Sequence, residues 1–526
     1  MGRSIPLRLW LVVLLRAVVA VAQPRTAPEQ SASHYLETIR RQPLLVLAFL
    51  REMPKGGDLH NHLAGAIYAE SWIRFAAEEG LCVDRATSIA LAPPCDNSCD
   101  ALASKPAVAC SGHDQKLYDT LIDQWSMRNW VRGHESGHDH FFATFGKFNL
   151  ASVNHVGESI AEAAQRAASD HVQYLELMHT ADGLNAAELG AKLGWDQGNT
   201  PRTDSSGLSQ LDFVAMRDRL LAGGLPGIVH STRQRLDKDE AEMRKTLACG
   251  TAAAAPGCAV TVRYLYQVLR GLPPEDVFAQ IVLGFELASA DPRFVGLNLV
   301  MAEDWYVPMR DFDLHMRMLD YLHGMYPKVH ISLHAGELAM GLVPPDGLSF
   351  HIRESVEVGH AERIGHGVDV MNERDPVGLL HEIAQRKVLV EICLTSNESI
   401  LGVKENEHPL PVYRKYGVPV ALATDDEGVS RSDMTHEYAR AVEIYKLSYL
   451  DLKGMVRESL QHSFLPGASL WAETQQFRAV AACEADVTHQ GKTSAACQNF
   501  LDGSEKARAQ WQLEKDFVKF ERGFCR

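Results

Sequence analysis

Val329-His330-Ile331-Ser332-Leu333-His334-Ala335-Gly336-Glu337 reads as a short apolar strand that closes on a group of chemically active side chains. Three other runs repeat the pattern. Gly57–Leu63 carries Asp58-Leu59-His60-Asn61-His62, Arg363–Val368 carries Ile364-Gly365-His366-Gly367, and Val418–Thr424 leads into Asp425-Asp426. Strand-like runs at Val172–His179, Val260–Tyr266, Phe294–Val300 and Val388–Thr395 bring the number to eight, separated in most cases by helical stretches. The segments Ser152–Ser169, Pro273–Leu287 and Met434–Tyr445 have the apolar recurrence of such helices. Eight strand–helix units predict an α/β fold, a parallel (β/α)8 barrel of TIM type, in which the strand C-termini share one face.

The residue types at those ends belong to one chemistry. Two residues apart on an extended strand, His60 and His62 point to the same side and can chelate one ion. His334 and Asp425 complete a nitrogen and oxygen set suited to one zinc per chain, with a position left for water. Zinc lowers the pKa of such a water to roughly 7, so the nucleophile need not come from a side chain. Each piece alone has a plainer role: a surface histidine pair, a solvated Asp-Asp turn, a core His366, or a Glu337 that starts a helix and suits its dipole. Their common placement at strand ends argues for the site.

These residues resemble the adenosine deaminase family of the amidohydrolase superfamily, and within it the secreted branch that includes the adenosine-deaminase-related growth factors. The resemblance runs from Met53-Pro54-Lys55 to Ser463-Phe464-Leu465-Pro466-Gly467, with His334–Glu337, Arg363–Gly367, Leu394-Thr395-Ser396-Asn397 and Thr424–Asp426 as its specific pieces. It implies hydrolytic deamination at C6 of an adenine ring. His60, His62, His334 and Asp425 would hold the metal, and Glu337 would protonate ring N1. His366 would orient the attacking oxygen and stabilise the developing alkoxide, and Asp426 would hydrogen-bond N7. Met301 and Gly336 are carried as substrate contacts, the backbone N–H at Met301 standing where the family's glycine approaches ring N3. Two departures are visible. Ala64 stands where family members often place the aspartate that binds the ribose 5′-hydroxyl, and Asn298-Leu299-Val300-Met301-Ala302-Glu303 replaces the usual Asp-Leu-x-Gly-x-Glu. The expected substrate is therefore adenosine or 2′-deoxyadenosine, with adenine or a 5′-modified adenosine as the alternative.

The 526 residues exceed a bare barrel of roughly 250 residues. Residues 1–22 read as a secretory signal, with Arg3 and Arg8 ahead of apolar Leu9–Ala22 and a small-residue cleavage site at Ala20-Val21-Ala22. Helical extensions are expected at 23–50 and 471–526, flanking a barrel at 51–470 with insertions at about 81–133 and 181–258 after the first two strands. The ten cysteines suit an oxidising compartment, secreted or periplasmic. Local spacing favours Cys249–Cys258 and Cys483–Cys497 as disulfides and Cys393 as an enclosed thiol, while the pairing of Cys82, Cys95, Cys99, Cys110 and Cys525 stays open.

A net charge of −15 argues against nucleic-acid and anionic-membrane partners and leaves a small purine nucleoside as the expected ligand, with a homodimer open. Other readings fail on particular residues. Pro94-Cys95 and Cys99 have the wrong spacing for a cytidine-type zinc site, whose upstream His-x-Glu is also missing. A binuclear amidohydrolase needs a bridging lysine where Asn298-Leu299-Val300 stands. A signalling protein on a deaminase scaffold would have lost a ligand or the acid, and neither is lost. Within Ser136–Phe142, His138 and His140 read as part of a pocket wall beside tandem aromatics rather than as a second metal site.

Overall fold

The computed structural model describes residues 26–96, 98–100, 102–195, 210–488 and 493–525. The segment read as a secretory signal lies outside them, as does part of the second insertion.

Two helices, α1 (Ala27–Ile39) and α2 (Pro43–Glu52), precede the first strand, β1 (Gly56–His62). A short α3 (Leu63–Ala66) follows it, then the first insertion, α4 (Gly137–Ser152), α5 (Val156–Ser169) and β2 (Val172–His179). After the second insertion come β3 (Thr261–Leu269), α6 (Pro274–Ala290), β4 (Phe294–Val300), β5 (His330–Ala335), β6 (Arg363–His366) and β7 (Leu389–Ile392). The barrel ends with α7 (Leu394–Leu401), β8 (Val420–Leu422), α8 (Glu427–Ser430) and α9 (Met434–Glu443), and α10 (Tyr449–Gln461) and α11 (Glu505–Arg522) lie beyond.

The eight strands form one parallel sheet in sequence order. All eight expected runs lie in it. The last strand meets the first at the bridge between Asn61 and Asp425, where His62 N–H donates to Asp425 O and Asp425 N–H donates to His60 O, both at 2.9 Å. Asp58 reinforces this seam by accepting from Thr424 Oγ1 at 2.5 Å and Asn61 Nδ2 at 3.1 Å. A barrel closed in this way has no free edge there.

Enclosure on both faces explains the unbroken apolar runs: β4 and β7 are buried along their whole length. Helix α6 shows how the outer layer is seeded, with Pro274 at its start, Glu275 and Asp276 in its first turn and a nearly continuous buried sequence. The helix expected from Ser152 begins at Val156, because Val153–His155 form a break between α4 and α5. The polar Asn154 and His155 sit at that junction, and apolar periodicity on both sides hides it.

At the barrel floor, buried Arg363 pairs with Glu176 at 2.5 Å and Glu391 at 2.6 Å, and lies 3.8 Å over the Phe464 ring. Outside the barrel, α1, α10 and α11 pack together around Lys453, whose ammonium meets Glu29 at 2.8 Å and Glu521 at 2.5 Å.

Four disulfides join Cys82–Cys95, Cys99–Cys110, Cys249–Cys258 and Cys483–Cys497. Cys393 is a buried thiol and Cys525 an exposed one. The insertion cysteines are thus joined to one another, which removes the zinc ligands a cytidine-type site would require. No described helix is long and apolar enough to cross a membrane.

Candidate metal and purine site

The C-terminal ends of β1, β5 and β8 bring His60, His62, His334 and Asp425 together, with one ligand atom from each within 4.8 Å of the others. His62 Nε2 lies 3.1 Å from His334 Nε2, and Asp425 Oδ1 lies 3.3 Å from His60 Nε2 and 3.4 Å from His62 Nε2. The outer nitrogens fix this convergence. His60 Nδ1 meets Glu391 Oε2 at 2.7 Å, His62 Nδ1 meets Gln267 Oε1 at 2.9 Å, and His334 Nδ1 meets Asn298 Oδ1 at 2.8 Å. Since each acceptor requires N–H on Nδ1, each neutral imidazole turns an Nε2 lone pair inward. Lone pairs crowded beside a carboxylate suit a cation, so the donor set fits a metal ion.

Backbone geometry contributes to the same end. Met301, His366 and Asp425, at the ends of β4, β6 and β8, have φ of 86°, 69° and 60°. Residues with side chains are strained in this left-handed region, and such strain collects where the surrounding structure must aim a group. Arg270 ties the end of β4 to that of β5: Nη1 donates to His334 O at 3.1 Å, and Nη2 donates to Met301 O at 3.1 Å. Glu303 accepts from Gly336 N–H at 3.1 Å and Glu337 N–H at 2.7 Å, which sets the turn after β5.

Four buried polar atoms at this end have no hydrogen-bond partner among the described residues: His60 Nε2, Glu337 Oε1, His366 Nε2 and Asp426 Oδ1. Leaving one such atom unpaired costs about 1–3 kcal/mol, so a group of four points to a ligand. Glu337 Oε1 lies 3.7 Å from His366 Nε2.

A relay fixes the proton on His366. The Leu410 N–H donates to His408 Nδ1 at 3.1 Å, so a neutral His408 carries its proton on Nε2 and donates to Asn397 Oδ1 at 3.0 Å. Asn397 Nδ2 therefore donates to His366 Nδ1 at 3.0 Å, leaving the His366 proton on Nε2, toward Glu337.

The carboxyl groups are pushed in opposite directions. Burial, followed by the charges of Asp425 and Glu303, raises Glu337 well above the usual carboxyl range, and burial next to Asp425 does the same to Asp426. Burial also opposes a charge on Asp425, but the His60 ring 3.3 Å away and the other neighbouring imidazoles hold it well below that range. Burial opposes a proton on His60 as well, yet Asp425 and Glu391 raise it to about 10. Charged and neutral acids thus stand side by side.

All nine sequence-derived site residues lie at this end of the barrel. Gly336 and Met301 bracket the Glu303 loop. Asp426 rests directly on Gly65, where an added Cβ would fall 1.5 Å from Oδ1. His60, His366, Cys393 and Asp425 form a second convergent set. There the thiol is raised well above its ordinary value by burial and then by Asp425, so it stays protonated and is a poor ligand. His138 and His140 face apart: His138 meets Asp304, whereas His140 meets Glu135 and backbone carbonyls. Sequence reasoning left Gln267, Arg270, Glu391 and His408 unassigned. Only Glu391 leaves a signal, as a charge inside the apolar run Val388–Ile392. A separate cavity of about 470 Å³, lined by His330, His360, Arg386 and His462, opens by the strand N-termini, away from these groups.

Residues 228–470 match the family described as adenosine deaminase. An adenosine deaminase from Clostridium perfringens is 32% identical over 135 residues, which cover 26% of this chain and 37% of that protein. One from a Mycobacterium species is 28% identical over 224 residues, covering 41% of this chain and 57% of that protein. The chain thus spans between about a third and somewhat over half of the curated relatives it matches. Among solved structures, an amidohydrolase from Burkholderia ambifaria with bound Zn superposes with TM-score 0.51 at 13% identity, over 95% of this chain and 98% of that one. Arabidopsis ADAL complexed with IMP gives 0.50 at 19% identity, over 82% and 96%. At such identities these likenesses concern the fold. The sequence matches support the adenosine deaminase family.

Proposed function

We propose that this chain is a zinc-dependent hydrolytic deaminase of the adenosine deaminase family, converting adenosine or 2′-deoxyadenosine to inosine or deoxyinosine and ammonia. The observation that carries the reading is the set of unpartnered atoms on Glu337, His366 and Asp426 beside the convergent ligands His60, His62, His334 and Asp425. When bound, the ion supplies a water activated at neutral pH.

The chain's own groups do the remaining work. Glu337, kept neutral by burial and the adjacent negative charges, donates a proton to ring N1 and makes C6 electrophilic. His366 holds its proton on Nε2, where it orients the attacking oxygen and stabilises the alkoxide formed at C6. Asp426, also kept neutral, donates to N7. Both ring nitrogens are acceptors, so two protonated acids suit an adenine ring. Met301 and Gly336 complete the substrate wall through their backbone. A positioned acid of this kind contributes about 10²–10⁴-fold to the rate.

A second reading, a deaminase of adenine or of 5′-modified adenosines, is favoured by Ala64 at the sugar end. Ammonia release across adenine, adenosine, 2′-deoxyadenosine, 5′-methylthioadenosine and AMP separates the two. Release from none of them rejects the deaminase. Four disulfides support a secreted or periplasmic site of action.

A further inference from the structure

Helix α4 lies across the catalytic end of the barrel. It packs against α3, α7 and α8, which follow β1, β7 and β8. Gly137 lets it begin hard against α7, since a Cβ there would lie 1.8 Å from Ser399 O. Its remaining side is joined to the loop after β4 by two contacts: His138 Nε2 meets Asp304 Oδ1 at 2.8 Å, and the Phe142 ring lies 5.8 Å from that of Trp305. The roof is therefore aromatic with one charged pair.

That pair stands at the rim of the site. Asp304 follows Glu303, whose carboxylate holds the Glu337 N–H, and Glu303 and Asp304 both act on the buried Arg270 guanidinium. His138 is buried, while the Asp304 side chain keeps 15% exposure. Burial opposes a proton on His138, but Asp304 and then Asp139 raise it above its ordinary value. One Asp304 oxygen takes His138; the other accepts from no described side chain or backbone group.

We propose that the His138–Asp304 pair is the sugar-reading subsite, in which the free Asp304 oxygen accepts a hydroxyl of the N9 sugar and His138 holds the carboxylate in place. This rests on the deaminase reading. The end of β1 leaves the task open, because Ala64 offers no acceptor. A charged acceptor held under a roof discriminates, since a substrate without the hydroxyl leaves it unpaired.

The test compares kcat/KM for adenosine, its 2′-, 3′- and 5′-deoxy analogues and adenine, using the zinc-loaded full chain and its Asp304→Asn and His138→Gln variants. With the unaltered protein one deoxy analogue should be at least about 30-fold poorer than adenosine. Asp304→Asn should bring adenosine down to that analogue's level, mainly through KM, while the analogue and adenine change by less than about threefold and zinc content is kept. His138→Gln should give a smaller loss of the same kind. An equal loss on every substrate would reduce the pair to a structural clasp and overturn the proposal. So would three deoxy analogues within about threefold of adenosine, or undiminished discrimination in Asp304→Asn. Turnover of no substrate by the unaltered protein would remove the deaminase reading itself, and this inference with it.

Discussion

Glu337 and Asp425 are both enclosed carboxyl groups of one cluster, yet their surroundings push them to opposite protonation states. Asp425 faces imidazoles and stays ionised, whereas Glu337 faces Asp425 and Glu303 and keeps its proton. Glu337→Gln retains size and polarity but has no acidic proton, so kcat should fall by about 10²–10⁴-fold while zinc content and thermal midpoint stay near the unaltered values. Near-normal turnover would exclude Glu337 as the acid. The sign of the pH dependence follows. An acid that works protonated loses activity as pH rises through its raised pKa, and kcat profiles should show that alkaline limb only while Glu337 is present. His408 tests a different link. In His408→Phe nothing holds Asn397, the His366 proton is free to move to Nδ1, and kcat should drop by about 10–100-fold with little change in KM or zinc. Unchanged kcat would show that His366 needs no such relay.

At the scale of elements, the turn from β1 into α3 and the turn from β8 into α8 meet where Asp426 lies against Gly65. An alanine there adds one methyl at a point already filled, 1.5 Å from Oδ1. Asp426 must move, and overpacking of this sort costs about 1–3 kcal/mol. Gly65→Ala should therefore lower kcat/KM for an aminopurine by about 10–100-fold with the zinc retained. Kinetics like those of the unaltered chain would show that Asp426 does not touch the base. Comparable legibility did not extend to all elements. The eight strands could be read because most are enclosed on both faces, and His60, His62, His334 and Asp425 because they end such runs. The roof could not, since α4 is placed by contacts from Gly137 to Ser399 and from His138 to Asp304, across more than a hundred residues of chain. Gln267 and Arg270 were hidden for a related reason: a polar residue late in a strand or just past its end shows its partner only after the barrel has closed.

For the whole molecule, the four candidate metal ligands do more than gather around one point. His60 and His62 come from the first strand, His334 from the fifth and Asp425 from the turn after the eighth, and the seam between first and last strands runs through Asn61 and Asp425. An ion held by all four would therefore clamp the closure of the barrel as well as serve the chemistry. Without it, the inward lone pairs of His62 and His334 remain crowded 3.1 Å apart beside the His60–Asp425 pair, which destabilises the closed form. A ligand that binds only the folded chain stabilises it by RT ln(1 + [L]/Kd), about 4 kcal/mol at a thousandfold excess over Kd. Purified protein should carry close to one zinc per chain. Chelation should lower the thermal midpoint and abolish ammonia release, and one equivalent of zinc should restore both. His334→Ala should lose the ion and melt near the chelated protein, with no further fall on chelation. Two tightly held ions per chain would overturn the single-metal assignment. A midpoint and activity that both survive exhaustive chelation would remove the metal from the catalytic end altogether.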